Sequence, residues 1–285
     1  MRLNFNPMKT GQLLVWLAIG LGLNACEGLE RSVVEVANVP TSDLPFVTAF
    51  IAPQDTVLRV RVERTVPVIG SLPANAFAGQ PIPNATVSIS SGPQSVTLGY
   101  NGRRLEYQTI PRSFTVKAGE TYQLRIQLTN GSAITSSCTI PADAVPLQSI
   151  RVLREPTTTK VRFTWPDLPG PNNFYAVSFY LFRVFSDGTV DTTGDRLEEI
   201  FSDVSDMEGG RFVTKLIDPV WFSNERNALI ISHTDKLYYD YHRALAALLL
   251  ANDNPFADPI RLPTNMRGAH GVFCGYTRAV GSIRQ

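Results

Sequence analysis

Short runs in which apolar and polar residues alternate fill the chain from about residue 45 onward. In residues 57–64, Leu58, Val60 and Val62 share one face while charged side chains share the other, and residues 122–128 repeat this pattern. A period of two is typical of half-buried antiparallel strands. The same pattern predicts further strands at 46–51, 86–90, 95–100, 103–108, 113–117 and 133–140. Strands at this spacing, separated by Gly-containing turns, predict an immunoglobulin-like β-sandwich.

The second half of the chain predicts more strands and one long helix. Leu237, Tyr241 and Leu245 recur at helical spacing, so we expect a helix over 234–251 that is capped by Ser232 or Thr234. Helical spacing also predicts a shorter helix within 195–206. The strands of this half are predicted at 149–155, 159–165, 174–185, 212–217, 228–232 and 270–280.

These elements together predict a mainly β fold with two immunoglobulin-like sandwiches in tandem. Pro141 and Pro146 mark the boundary, which gives an N-terminal sandwich at 45–145 and a C-terminal sandwich at 146–285. The helix at 234–251 is expected to pack on the second sandwich. Trp165, beside a turn, is expected to be a core aromatic of that sandwich.

The first 25 residues have the layout of a secretory signal peptide. They contain no acidic residue, carry Arg2 and Lys9 near the start, and continue into an apolar run that is too short to span a bilayer. The run ends in Leu-Asn-Ala-Cys at 23–26, which resembles the bacterial lipobox. In that motif the cysteine forms a thioether to diacylglycerol and becomes the mature N-terminus. We therefore expect a lipid on Cys26 and an outer-membrane location, with residues 26–44 as an acidic tether.

Charge and composition narrow the function classes. The 285 residues carry 26 Lys+Arg against 25 Asp+Glu, and 44% are hydrophobic. Removal of residues 1–25 leaves 24 basic residues against 25 acidic ones. A nearly neutral chain lacks the basic footprint that nucleic-acid binding requires, so no nucleic-acid partner is expected.

Several segments resemble an uncharacterised Bacteroidota lipoprotein family, domain of unknown function 4249. The segments are PNATVSI at 83–89, AGETYQLRI at 118–126, NPFADP at 254–259, TNMRG at 264–268 and GVF at 271–273. After Gly268, Ala269 and His270 interrupt the glycine pair that is usual in that family. The resemblance implies a lipoprotein of two sandwiches, often encoded beside a TonB-dependent transporter, and it supplies no catalytic residues. Asn265 and Gly268 are interpreted as a turn that returns the last strand to the sheet.

The sequence contains no recognisable catalytic motif, and no cofactor is expected besides the lipid on Cys26. The chain has no Gly-x-Ser-x-Gly elbow, phosphate loop or His-Glu-x-x-His helix. Asp187, Asp191 and Asp195 begin an acidic stretch whose spacing does not match an EF-hand. A solvated acidic face is favoured there, and a calcium site or a contact for a basic partner is the alternative.

Two cysteines remain once Cys26 carries lipid. In an oxidising compartment Cys138 and Cys274 can form a disulfide, or they can be two buried thiols on strands. The sequence does not give the Cα separation that decides between these alternatives.

The leading functional hypothesis is a non-catalytic, lipid-anchored accessory subunit that docks on a TonB-dependent transporter or helps to capture its cargo. The second hypothesis is a structural or adhesive surface protein that binds another protein or a glycan. A hydrolase with dispersed catalytic carboxylates ranks last, since paired carboxylates need not be near in sequence.

Overall fold

Sixteen strands and one α-helix make up the described part of the computed structural model, which covers residues 44–65, 80–158, 160–184, 190–191, 196–202, 207–216, 225–251 and 260–283. The predicted signal peptide at 1–25, Cys26 and nearly all of the tether at 26–44 lie outside these residues, as do Asp187 and Asp195.

The first seven strands come from the range predicted as the N-terminal sandwich. They are β1 (Phe46–Ile51), β2 (Leu58–Glu63), β3 (Thr86–Ser91), β4 (Gln94–Asn101), β5 (Glu106–Thr109), β6 (Thr121–Gln127) and β7 (Ala133–Thr139). A short 3₁₀ helix at Leu147–Ser149 leads into the second range.

The second range contains the remaining strands and the helix. They are β8 (Arg151–Arg154), β9 (Val161–Pro166), β10 (Phe174–Val184), β11 (Val190–Asp191), β12 (Arg196–Ser202), β13 (Met207–Glu208), β14 (Arg211–Val213), β15 (Glu225–Thr234), α1 (Lys236–Ala251) and β16 (His270–Ile283). Among the described residues, none of the helices has the length and apolar character to cross a membrane.

Two predicted elements are wrong. Residues 113–117 form no strand, although Phe114 and Val116 are buried, because the Lys117 N–H donates to the Tyr122 hydroxyl at 2.7 Å instead of to a neighbouring strand. The short helix predicted within 195–206 is replaced by β12, which pairs antiparallel with β10. A helix of that length is marginal without tertiary support, whereas the edge of a long strand offers backbone partners at once.

Twelve strands form one mixed sheet in the order β11-β10-β15-β16-β1-β2-β5-β4-β3-β6-β7, with β12 also paired to β10. Four strands form a second, small sheet in the order β13-β14-β9-β8. Within the large sheet, β4 pairs with β3 along its first part and with β5 near its end. Buried side chains of β2 and β6 share one apolar cluster, so the sheet bends at β4 and its two parts face each other.

The described residues form three apolar clusters in the interior. The first cluster lies between the two parts of the large sheet and includes Val60, Leu124 and Phe273. The second cluster lies between the small sheet and the β10-β15-β16 region; Trp165, which is fully buried there against Phe212, is confirmed as a core aromatic. The third, helix-side cluster is formed under α1 by Tyr241, Val272 and Cys274 with partly buried neighbours.

Strand β16 contributes buried side chains to all three clusters. Phe273 packs in the first, Ala279 in the second, and Cys274 in the helix-side cluster. The segment predicted as the domain boundary is also held in place, because the Asp143 carbonyl accepts hydrogen bonds from Thr277 Oγ1 and from His233 Nδ1, both at 2.7 Å. The described residues all belong to one compact unit. The described residues thus form a mainly β body with one large mixed sheet, one small sheet and one helix, and the finer prediction of two immunoglobulin-like sandwiches in tandem stays a prediction.

Candidate functional site

Asn265 fixes the chain just before the last strand. Its Nδ2 donates to the carbonyls of Ser137 at 3.0 Å and Phe273 at 2.8 Å, and its Oδ1 accepts from the Phe273 N–H at 2.9 Å. Ser136 Oγ in turn donates to the Asn265 carbonyl at 3.1 Å. One side chain thus joins β7 to β16, and this confirms Asn265 as part of the turn that returns the last strand to the sheet.

Two glycines allow close backbone approach around this turn. Gly268 has φ +83°, and a Cβ at that position would lie 2.9 Å from the Ala133 carbonyl oxygen, which confirms its predicted role in the turn. Gly271 has φ +102°, and a Cβ there would lie 1.9 Å from the Val47 carbonyl oxygen. The sequence interpretation missed Gly271 as a contact position. A glycine inside a strand pattern is the signal that marks such an approach.

The close approach at Gly271 pairs the last strand with the first one. Strands β1 and β16 run parallel, with Val47 opposite Gly271 and Phe50 opposite Cys274. The pairing begins where the His270 N–H donates to the Pro45 carbonyl at 2.8 Å. We call this β1–β16 pairing the seam. It places side chains from the two ends of the described chain on one face of the sheet.

A cleft of about 410 Å³ opens on that face next to the helix. Strands β1, β2, β5 and β16 and the loop 52–57 all contribute to it. Its lining residues are Thr48, Ala49, Phe50, Asp55, Val57, Arg59, Arg61, Glu106, Tyr276 and Arg278. Three guanidiniums and two carboxylates therefore surround one cavity, and we call it the arginine cleft.

Two ion pairs connect four of these charges. Arg59 Nε lies 3.1 Å from Glu106 Oε1, and Arg278 Nη2 lies 3.4 Å from Asp55 Oδ1. Asp55 is further held by the Ala52 N–H, which donates to Oδ2 at 2.8 Å. Burial raises the pKa of Asp55 above its ordinary value of 3.8, while the Ala52 hydrogen bond and the guanidiniums of Arg278 and Arg59 offset part of this effect.

Glu106 is a buried carboxylate without a full set of partners. The residue is only 8% exposed, and Oε1 makes no hydrogen bond among the described residues. Its contact with Arg59 Nε, at 3.1 Å, is an ion pair and not a hydrogen bond. A buried carboxylate oxygen is costly unless a donor satisfies it.

Arg61 is the unpaired charge of the cleft. Its side chain is exposed, lies on β2 two residues beyond Arg59, and forms no ion pair or hydrogen bond within the described part of the chain. The sequence pattern predicted that both arginines lie on the polar face of β2. It did not indicate that this face lines a cleft, because the polar face of any surface strand has the same pattern. Their convergence with Arg278 depends on the seam, which local alternation does not reveal.

Aromatic side chains form the wall between the cleft and α1. The Phe50 ring lies 5.2 Å from the Tyr238 ring and 5.0 Å from the His242 ring, between ring centroids. Tyr276 lies 5.5 Å from Tyr238. Phe50 and Tyr276 both line the cleft and are partly exposed, so apolar ring surface stands beside the charged groups.

Asp235 fixes the start of that helix. Its Oδ1 accepts the Tyr238 N–H at 2.7 Å, which makes it the N-cap, and its Oδ2 accepts the Gly275 N–H at 3.0 Å. The predicted caps Ser232 and Thr234 are wrong, because β15 continues through Thr234 and the cap falls on the next residue. Burial raises the pKa of Asp235 above its ordinary value, and its backbone hydrogen bonds offset part of that shift.

The Asp235→Ala variant is expected to lose about 2 kcal/mol of unfolding free energy, because the Tyr238 and Gly275 N–H groups both lose their acceptor. Asp235→Asn should lose less, because its Oδ1 still caps Tyr238. Urea unfolding monitored by circular dichroism measures both values. If the alanine variant matches the wild type, the carboxylate does not hold the helix to β16.

Cys138 and Cys274 are free thiols in the structure, and both are buried. They pack in different apolar clusters, Cys138 in the first and Cys274 in the helix-side one. Burial raises the pKa of both thiols, and the Asp235 carboxylate raises the two values further. Buried thiols of this kind are poor nucleophiles. The choice between a disulfide and two buried thiols stays a prediction, and we favour the two thiols because the structure describes both as free.

We expect iodoacetamide to label neither Cys138 nor Cys274 in the folded mature protein and to label both in denaturant without added reductant. Intact mass spectrometry counts the added groups. A protein that gains two labels only after reduction contains the disulfide and contradicts this assignment.

The acidic stretch that begins at Asp187 forms no binding site among the residues that the structure describes. Asp191 lies in β11 and its side chain is not described, and Asp187 and Asp195 lie outside the described residues. Within the described ranges, His, Cys, Asp and Glu side chains form no group of three or more that can hold a metal ion. The calcium alternative stays a prediction.

The chain belongs to the family described as Domain of unknown function (DUF4249), which it matches over residues 36–282. The match includes the strands of the seam, the arginine cleft and α1. No curated protein matches the sequence.

Solved structures give distant matches to fibronectin type III and related β proteins. A two-domain fibronectin type III segment of chicken tenascin is 13% identical with a TM-score of 0.25, covering 85% of this chain and 100% of that chain. The FN1-FN3 domains of chicken CNTN1 are 10% identical with a TM-score of 0.26, covering 67% and 60%. Salmonella alpha-2-macroglobulin reacted with methylamine is 14% identical with a TM-score of 0.24, covering 70% and 14%. Likeness at this level carries no argument about function.

Proposed function

We propose that this protein is a non-catalytic binding protein, anchored in the outer membrane by lipid on Cys26, that serves a TonB-dependent transporter in uptake or cargo capture. The observation that carries the binding role is the arginine cleft, where Arg59, Arg61 and Arg278 meet the carboxylates of Asp55 and Glu106. The lipobox at 23–26 supports the anchor, and the resemblance stated for the family supports the transporter.

The chemistry of the described residues favours binding over catalysis. The thiols of Cys138 and Cys274 are buried with raised pKa values, which is unfavourable for a nucleophile. The carboxylates of Asp55 and Glu106 are each engaged with an arginine, whereas a general acid–base pair needs carboxylates free to exchange a proton. Guanidiniums beside partly exposed aromatic rings are instead typical of recognition surfaces.

The proposal also concerns the origin of the fold, in which two apolar clusters each lie between facing sheets, as in a sandwich. The first apolar cluster lies between facing parts of the large sheet, and the second lies between the small sheet and the large one. We infer that both halves derive from immunoglobulin-like sandwiches that share β16. A rigid body of this kind suits a protein that presents a preformed cleft to a partner.

A native pull-down tests the proposed function. Affinity-tagged full-length protein is extracted from membranes of its own host in mild detergent, and co-purifying proteins are identified by mass spectrometry. We expect a TonB-dependent transporter with the wild type and none with Cys26→Ser, which leaves the protein without its lipid. Failure of the wild type to capture any transporter contradicts the transporter role.

A further inference from the structure

We propose that the C-terminal end of α1 inserts into the surface of the lipid bilayer in which Cys26 anchors the protein. This inference rests on the lipid anchor of the proposed function and adds a second membrane contact, made by the folded body itself. It is carried by two observations: the helix end is apolar and exposed, and it lies at the end of the body where the described chain begins.

The last two turns of α1 carry no polar side chain. Residues 244–251 are Ala-Leu-Ala-Ala-Leu-Leu-Leu-Ala, whereas the first half of the helix contains charged residues such as Lys236 and Asp240. Leu249 is 62% exposed and Leu250 is 84% exposed. A surface helix usually places polar residues on the face that does not pack on the protein. Contiguous apolar surface that stays exposed marks a contact with another apolar surface.

The leucines are exposed because α1 is longer than the strand that it follows. At the start of the helix, Asp235 accepts the N–H of Gly275, which lies opposite Ile51 at the end of β1. Further along, Tyr241 packs with Val272, so the helix runs back toward the start of β1. The helix spans about 24 Å and β1 about 17 Å. The last turn of α1 therefore projects past the start of β1.

The projecting helix end lies on the side where the anchored segment joins the body. Leu44 comes just before β1 and is itself exposed. Residues 27–43 join it to Cys26, and a segment of that length spans at most about 60 Å. Lipid on Cys26 thus holds this end of the body, rather than the end at Ile51, nearest to the bilayer. The bilayer is the apolar surface that the helix end meets there.

Basic side chains at the same end suit a surface of anionic headgroups. Arg64 lines a cavity together with Leu44, so it lies beside the start of β1. The turn before β5 lies there too, because β5 runs antiparallel to β2, and it carries Arg103 and Arg104. All three arginines are exposed, whereas their acidic neighbour on β2, Glu63, is partly buried.

Fluorescence quenching by spin-labelled lipid tests this contact on the lipidated mature protein. The protein is reconstituted in vesicles of phosphatidylethanolamine and phosphatidylglycerol that contain phosphatidylcholine with a nitroxide on its acyl chain. Leu250→Cys carries an environment-sensitive dye, and the buried thiols of Cys138 and Cys274 stay unlabelled. We expect the label at position 250 to lose about half of its fluorescence or more, because an inserted helix lies within reach of the acyl chains.

Ile110→Cys with the same dye is the matched control. Ile110 is 64% exposed and follows Thr109, which pairs with Leu58 at the opposite end of the body. We expect almost no quenching at position 110. No quenching at position 250, or equal quenching at the two positions, overturns the proposal.

A second pair of variants tests whether the apolar helix end drives the insertion. In the protein labelled at position 250, Leu249→Asp should remove most of the quenching, because a carboxylate is costly in the acyl region. Leu153→Asp introduces the same charge at an exposed leucine of β8 and should leave the quenching unchanged. Equal effects of the two substitutions, or none from Leu249→Asp, overturn the proposal.

Contacts with protein give different results. If the label at position 250 is shielded from aqueous iodide but not quenched by the lipid, and the shielding rises with protein concentration, the helix end binds a second copy. If lipid does not quench the label but Leu249→Asp prevents capture of the transporter in the pull-down, the helix end binds the transporter. Either result overturns the bilayer contact.

The bilayer contact and the proposed function fail separately. If intact mass spectrometry finds lipid on Cys26 but the label at position 250 is not quenched, the helix contact is wrong and the anchor stands. If Cys26 carries no lipid, the proposed anchor is wrong and the helix contact falls with it. If the quenching has the expected pattern but no transporter is captured, the helix contact stands and the transporter role is wrong.

Discussion

Replacement of Gly271 by alanine is expected to leave the mature protein largely unfolded at room temperature. The added Cβ would lie 1.9 Å from the Val47 carbonyl oxygen and 2.9 Å from the Val47 nitrogen, and both atoms belong to the backbone of the paired strand. A φ of +102° is also strained for any residue with a side chain. The seam must therefore open, and we expect a loss of more than about 4 kcal/mol, comparable to the whole stability of many domains.

Gly131→Ala is the control for this effect. Gly131 also has a positive φ, +86°, but a Cβ there has nothing within 4 Å. Its cost should be the backbone strain alone, about 1–2 kcal/mol. Circular dichroism without denaturant gives the folded fraction of Gly271→Ala, and equilibrium unfolding in urea gives the loss in Gly131→Ala. If the two variants lose the same unfolding free energy, backbone strain alone accounts for the need for glycine at 271. That result contradicts the close approach of β1 and β16 at the seam.

Asn265→Ala is expected to produce the second largest loss, about 2–4 kcal/mol. The substitution removes three hydrogen bonds at once and leaves the Phe273 N–H and the carbonyls of Ser137 and Phe273 without partners. Asn265→Asp should be no better than alanine. The carboxylate keeps the acceptor for Phe273, but it loses both donated bonds and places negative charge beside two carbonyl oxygens.

Asn130→Ala provides the matched comparison for Asn265. The Oδ1 of Asn130 accepts the Ser132 N–H at 3.0 Å in an exposed hairpin turn, where water can replace it. We expect its loss to stay below about 1 kcal/mol. The same urea titration ranks the variants, and an aspartate at 265 that is as stable as the wild type contradicts the role of the two donated hydrogen bonds.

Local pattern predicted most elements because each was specified by its own residues. The alternation of apolar and polar residues correctly predicted β2 and β6, and the helical spacing correctly predicted α1. Both patterns arise because each element buries one face. The prediction failed at β12, where pairing with β10 overrode the helical spacing of a short segment. It also failed at the helix cap, which depended on where β15 ended.

The candidate site was less predictable than the fold. Asn265 and Gly268 were recognised because a turn needs their local chemistry. The arginine cleft was not recognised, because Arg59 and Arg278 meet only through the parallel pairing of β1 with β16. That pairing joins residues more than 200 positions apart, and no local period specifies it. Gly271 was the available signal, as a glycine within a strand that no turn required.

The central claim is that the seam makes the two halves one body and so builds the cleft. Urea unfolding of the mature protein with two probes tests it most directly: tryptophan fluorescence, to which Trp165 of the second cluster contributes, and pulsed alkylation of Cys138 in the first cluster. The account predicts coincident transitions at one midpoint. Two separated transitions, with Cys138 exposed while Trp165 is still buried or the reverse, would show independent domains and contradict it.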